Sequence, residues 1–242
     1  MKRSGTKFPK MSYKLITINQ TKTLKSLRYG YITGILHLAP NTVASRKTVC
    51  KFASPGCKAI CLNYSGRGRY SKVQMARIRK TLMFWQEKDQ FMELLRKDIQ
   101  RFAKMAKRKN LKPCLRLDGT SDLGIAAEIA NEFSEIKFYD YTKDPERYQK
   151  FLNRDFPKNY HLTFSRSEIN DDYVKDFLTK SGSVAIVFNK IPKVWNGYKV
   201  INGDKHDLRF KDRHWFKIKG SFVVGLKQKG SRKNHKGFVY HG

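Results

Sequence analysis

After Pro113 the chain settles into a rhythm that few folds satisfy: short apolar runs separated by stretches long enough for one helix. The runs are Cys114–Asp118, Lys137–Asp140, His161–Phe164, Ser183–Phe188, Lys199–Ile201 and Phe222–Leu226. Helical segments fit between several of them, at Asp122–Glu132, Pro145–Leu152 and Asn170–Thr179. Strand, helix and strand at this spacing predict parallel pairing through right-handed crossovers, because a tight turn joins only antiparallel neighbours. Upstream, Tyr29–Leu38 is β-branched and apolar and reads as a buried strand. A long helical pattern runs from Val73 to about Arg108 with an expected break near Gln86–Asp89, and Ser71 and Gln74 have capping-box spacing. The helix supply ends after Phe188, so the last strands are expected to be joined by loops or hairpins.

The fold class is therefore α/β. The expected form is one domain over residues 13–242, a mostly parallel sheet curling into a partial, open TIM-like barrel, with a cysteine-bearing loop after the first strand and a basic tail at residues 1–12. In such sheets ligands gather at the carboxyl ends of the strands. The residues delivered there include Arg116, Asp118, Ser121, Asp140, Tyr141, Lys143, Ser165, Arg166, Lys227 and Lys229, which are the rim or substrate candidates. Asp122 and Asp144 read as helix caps. Asp118, Asp122, Asp140 and Asp204 would have to converge to hold magnesium for a nuclease, and spacing alone does not bring them together. The sequence assigns no catalytic residue.

Three of the four cysteines, Cys50, Cys57 and Cys61, fall within twelve residues of one another. The chain has ample apolar residues for a core and no leader-like apolar stretch near its start, so a disulfide framework is not expected and metal ligation is. Structural zinc favours two close ligand pairs, and this loop offers none. A fourth ligand would have to be Cys114 or a histidine such as His37. Cys114 opens its strand, at the end of the sheet away from the loop, and reads as a core thiol. Three thiolates with one vacancy suit a 4Fe–4S cluster with an open iron better than zinc, which stays as the alternative.

The segments ILHLAPNTVASRKTVCKFASPGCKAICLNYSGRG, LRLDGTSDLG, KFYDYTKDPERY, YHLTFSRSE, INGDKHDLRF and VVGLKQKGSRKNHKGFV follow one another in order. The series resembles the "gene product 88" family, met mainly in bacteriophage and prophage genomes. The resemblance implies a phage protein acting in the cytoplasm of an infected bacterium, and it makes Cys50, Cys57 and Cys61 the family's cysteine motif. A more distant likeness is to radical S-adenosylmethionine enzymes, which also carry three cysteines after the first strand of a partial barrel. Their cysteines are more closely spaced, and LDGTSD stands where they carry a glycine-rich segment. That likeness implies an open iron and makes S-adenosylmethionine a possible cofactor.

Charge points to a partner. Lys plus Arg number 51 against 20 Asp plus Glu, a net charge of +31. No apolar run approaches the roughly 18 residues that a membrane span needs. A balance this basic favours a polyanion, here single-stranded DNA or RNA. The expected footprint is Arg67, Arg69, Arg77, Lys227, Lys229, Arg232 and Lys233, at the cysteine loop and the last strand. The second functional reading is accordingly a zinc- or cluster-stabilised nucleic-acid-binding protein without catalysis. His206, His214, His235 and His241 lie in a basic stretch and read as surface residues.

Overall fold

The computed structural model describes residues 14–18, 21–229 and 237–241. The tail at 1–12 lies outside them, as do Arg232, Lys233 and His235. The architecture is α/β, built on a ten-stranded, mostly parallel sheet. Strands β2 (Tyr31–Leu36), β3 (Lys112–Arg116), β4 (Lys137–Thr142), β5 (Tyr160–Ser165) and β6 (Ser183–Phe188) follow one another side by side. Then β9 (Phe222–Lys227) pairs with β6 and β8 (Tyr198–Asn202) with β9, both in parallel. The edges are β1 (Ile16–Thr17), antiparallel to β2, and β7 (Val194–Trp195), in a hairpin with β8. These edges do not pair, so the sheet is open.

The helices follow the sequence rhythm. The long pattern divides into α3 (Ser71–Gln86) and α4 (Lys88–Arg108), broken at Glu87. Ser71 and Gln74 make no capping box: Tyr70 is the N-cap, and the Gln74 amide instead donates to the Asn63 and Gly68 carbonyls. α6 (Pro145–Leu152) starts with Pro at its first position and Asp144 as N-cap, its carboxylate accepting from the Arg147 amide. α7 (Asp171–Thr179) begins after Asn170. The helix expected at Asp122–Glu132 is shorter: Gly124, in the left-handed region at φ 79°, precedes α5 (Ile125–Ile129), so Asp122 is not its cap.

One face of the sheet packs on these helices. Ile32, Leu36, Leu115, Phe138, Leu162, Phe164, Val184 and Ile186 meet Phe91, Leu95, Ile99 and Phe102 of α4 and Val174, Phe177 and Leu178 of α7. Gly34 is needed there, because a Cβ would lie 2.5 Å from Ile16 and 2.8 Å from Leu115. The other face is covered by the segment from Gly203 to Ile218, which contains α8 (Asp212–Trp215). Leu208, Phe210 and Trp215 pack on Tyr31, Cys114 and Tyr139, while Phe216 and Ile218 pack on Ala185, Ile201 and Val224. Within this cover Arg209 is fully buried, its Nη1 3.2 Å from the Asp212 carboxylate. His206, read above as a surface residue, is buried beside Trp215 and Phe216; His214 and His241 are exposed. The segment thus forms a floor over that face of the sheet.

His161 on β5 carries a testable consequence of this packing. Burial, with Arg209, Lys137 and Arg213 nearby, lowers its pKa to about 3. A base whose folded pKa is depressed stays neutral in the fold and protonates in the unfolded chain, so its contribution falls as pH drops below about 6.5. Asp140, raised by burial and by Asp118, acts in the opposite sense above its ordinary range. The difference between wild type and His161→Gln isolates the histidine. The wild type is expected to lose up to about 1.4 kcal/mol per pH unit relative to the variant between pH 6 and 4, measured by urea unfolding. Parallel pH profiles would show that the ring is solvated.

Candidate metal centre and strand-end rim

The loop after β2 is tied down at three places, one near each cysteine. The Cys50 thiol donates to the Thr120 carbonyl at 3.6 Å, and Asp122 N–H donates to the carbonyl of Val49, so this cysteine rests on the loop after β3. Cys57 lies in α2 (Pro55–Ala59), whose N-cap Ser54 accepts from the Cys57 amide at 3.1 Å. Glu168, in the loop after β5, takes the Ser54 hydroxyl proton at 2.7 Å and the Gly56 amide at 2.6 Å. Cys61 opens a 3-10 turn, Leu62–Tyr64, and Asn63 in that turn accepts from Arg77 and donates to Gln74 of α3.

Burial pushes the Cys50 thiol up to about 12 and raises that of Cys61, and the neighbouring thiols add to both. Lys143 opposes this at both cysteines and Arg77 at Cys61. Cations therefore already face the place where thiolate charge would develop. His37, just past β2, is held neutral by burial and by Arg77, Arg116 and Lys80. Among the described residues, no group of three or more His, Cys, Asp or Glu side chains is drawn together tightly enough for one metal ion. Cys114 is buried within the sheet, its sulfur 3.1 Å from the Thr33 hydroxyl, and its burial holds the thiol at about 12.

The sequence-derived rim residues fall into two groups. Arg116, Tyr141, Lys143 and Ser165 make two contacts on neighbouring strand ends, and of the four Lys143 is the one whose charge reaches Cys50 and Cys61. The Lys143 amine donates to the Ser165 hydroxyl at 2.9 Å, and the Arg116 guanidinium lies 4.6 Å from the Tyr141 ring centre and 3.8 Å from Asp207. Arg116 Nε is buried with no hydrogen-bond partner, as is the Thr163 hydroxyl. Tyr139 donates its hydroxyl to Asp207 at 2.9 Å, which joins this group to the floor.

The second group is occupied in holding loops. Asp118 accepts from the Ser121 hydroxyl at 2.6 Å and from the amides of Leu123 and Gly124; Asp140 accepts from the Asp118 amide at 2.8 Å. Arg147 bonds Asp122 and lies 3.8 Å from Asp118. A guanidinium thus sits where a magnesium ion would have to bind, and Asp204 is elsewhere, accepting from Lys227 N–H and Lys229 Nζ. Arg166 is bidentate to Asp171 and donates to the carbonyls of Gly237 and Phe238. That anchors β10 (Val239–Tyr240), which pairs with β6 at Val187 and Phe188, beyond the point where β5 leaves it. Arg67 and Arg69 are in an exposed 3-10 turn. Glu168 and Arg147, the residues that fix the loops, were not among the site candidates; Glu168 lies three positions after the strand-end Ser165, and Arg147 three after the helix cap Asp144.

A family model whose description is Gene product 88 matches residues 9–242. The chain belongs to the Gene product 88 family. Neither a curated protein nor a solved structure matches it. The structure of this Gene product 88 protein has no helix, among the described residues, long and apolar enough to cross a membrane.

Proposed function

We propose that this phage-encoded Gene product 88 protein holds a 4Fe–4S cluster on Cys50, Cys57 and Cys61, leaving one iron open to a small molecule at the strand-end rim. The supporting observation is one tied-down loop carrying three thiols, with Lys143 near Cys50 and Cys61 and Arg77 near Cys61. A single zinc ion would need all its sulfurs about 2.3 Å from one point. A cubane binds each cysteine at a separate corner, so its ligands stand farther apart. No fourth thiol is near, since Cys114 belongs to the sheet interior.

When bound, such a cluster supplies one-electron chemistry at an iron without a protein ligand. The chain's own contribution is positional. Lys143 and Arg77 offset the negative charge of the thiolates, and the loop ties through Asp122 and Glu168 fix the ligand spacing. Arg116 and Thr163, buried with open hydrogen-bonding capacity, offer donors to an anionic or zwitterionic molecule, S-adenosylmethionine among them. In this reading the sheet works as a partial barrel with the Gly203–Ile218 segment as its floor.

Purification without oxygen is expected to give brown protein absorbing near ~400 nm, the iron–thiolate charge-transfer region, with several irons per chain. Colourless protein carrying stoichiometric zinc would overturn the cluster and leave the structural reading of the cysteines.

A further inference from the structure

The end of the sheet opposite the thiols carries a basic cluster. From Lys107 to Lys112 four of six residues are basic, Lys107, Arg108, Lys109 and Lys112, and no acid falls among them. Favourable interaction with a helix C-terminus accounts for cations in the last turn of α4. It does not account for those beyond it, nor for a second basic segment that arrives at the same spot. Lys112 and Lys211 both approach the Tyr31 ring, at 5.9 and 5.8 Å from its centre. Lys137 lies close enough to Lys211 for the two charges to oppose each other.

Beside the end of α4 runs a groove of about 670 Å³, lined by Lys104, Lys107, Lys112, Tyr29 and Glu135 among others. Lys104, Lys107 and Lys112 are exposed, and none of these lysines forms an ion pair with an acid among the described residues. Tyr29 is 38% exposed on the groove wall and rests on Trp215 at 4.7 Å between ring centres. A rigid aromatic beside a line of unpaired lysines is the arrangement that takes a stacked base and its backbone phosphates.

We infer that this groove, at the amino ends of the strands, is a binding surface for single-stranded nucleic acid. It lies on the side of the molecule away from the cysteine loop. The inference stands whether or not a cluster is bound. It also moves the contact surface from the rim arginines Arg67 and Arg69 to the opposite end of the sheet.

The test is fluorescence anisotropy of the full chain with labelled DNA and RNA single strands across a salt series. The variants are Lys104→Glu/Lys107→Glu/Lys112→Glu, Arg67→Glu/Arg69→Glu and Tyr29→Ala. Each cation lost from a phosphate contact removes about 0.7 from the slope of log affinity against log salt, so the triple variant should flatten it by about 2. It should also weaken binding at least tenfold, while the rim variant binds as wild type. Tyr29→Ala should weaken binding with the slope unchanged, since it removes stacking and not charge. Should the triple variant misfold, Lys107→Gln/Lys112→Gln provides the same comparison with milder changes. A loss confined to the rim variant would overturn the assignment. So would a wild-type slope near zero, or equal binding to anionic lipid vesicles that ignores Tyr29.

Discussion

Cys57→Ser is expected to release the cluster while leaving the domain folded. Bound iron should fall roughly tenfold or more and the visible absorbance with it, because loss of a thiolate removes a ligand that nothing nearby replaces. Far-ultraviolet circular dichroism should be almost unchanged. The fold around Cys57 does not hang on its sulfur: Glu168 holds Ser54 and Gly56, Asp122 holds Val49, and Gln74 holds Asn63. Collapse of the helical signal in the variant would mean that metal binding supplies folding free energy, as in small zinc domains. The cysteines would then be a structural device, and the open iron would have to be given up.

Arg209→Leu should be the most damaging change away from the cysteines. Arg209 is fully buried between Asp212, Asp207, Tyr139 and Tyr141, and removing it strips the guanidinium from the buried Asp212 and leaves Asp207 with Arg116 alone. Breaking one side of a buried ion pair typically costs about 3–5 kcal/mol. The shift should appear in the urea midpoint, with the slope of the transition unchanged. Arg209→Leu/Asp212→Leu should recover part of the loss, since the apolar pair leaves fewer stranded charges. A single-variant cost below about 1 kcal/mol would mean that water reaches this site and that the floor is held by Leu208 and Phe210 alone.

The parallel core was legible because its sequence is locally consistent. Ser183–Phe188 and Pro145–Leu152 have the bounds that their apolar pattern and Asp144–Pro145 start signal indicate. β1, β7 and β10 were not legible: each is two residues long, too short to show any period, and each exists only because a neighbour offers an edge. The floor was hidden for another reason. Its charged residues, Asp207, Arg209 and Asp212, look like a solvated loop, and only their mutual pairing carries them inside. The apolar residues set among them, Leu208, Phe210, Trp215, Phe216 and Ile218, were the available clue.

The strand-end acids illustrate a related ambiguity. An Asp after a strand has the same sequence appearance whether it faces a ligand or gathers the amides of the next turn. Asp118 does the second, and Arg147, a helix away, decides it. Lys143 and Ser165, by contrast, follow or end neighbouring strands and meet each other, the Lys143 amine donating to the Ser165 hydroxyl.

The floor also sets an order of events during folding. It joins Tyr31 and Cys114, from the first half of the chain, to Leu208 and Phe210 near its end. Such distant contacts come late, because the entropy of closing a long loop must be met before any of them forms. The helix-covered face can assemble strand by strand as the chain lengthens. The opposite face stays bare until residues 203–218 have been made and laid across it. In that interval Tyr31, Tyr139, Ala185 and Ile201 are open to water, and that is when a growing chain is most prone to stick to a second copy of itself.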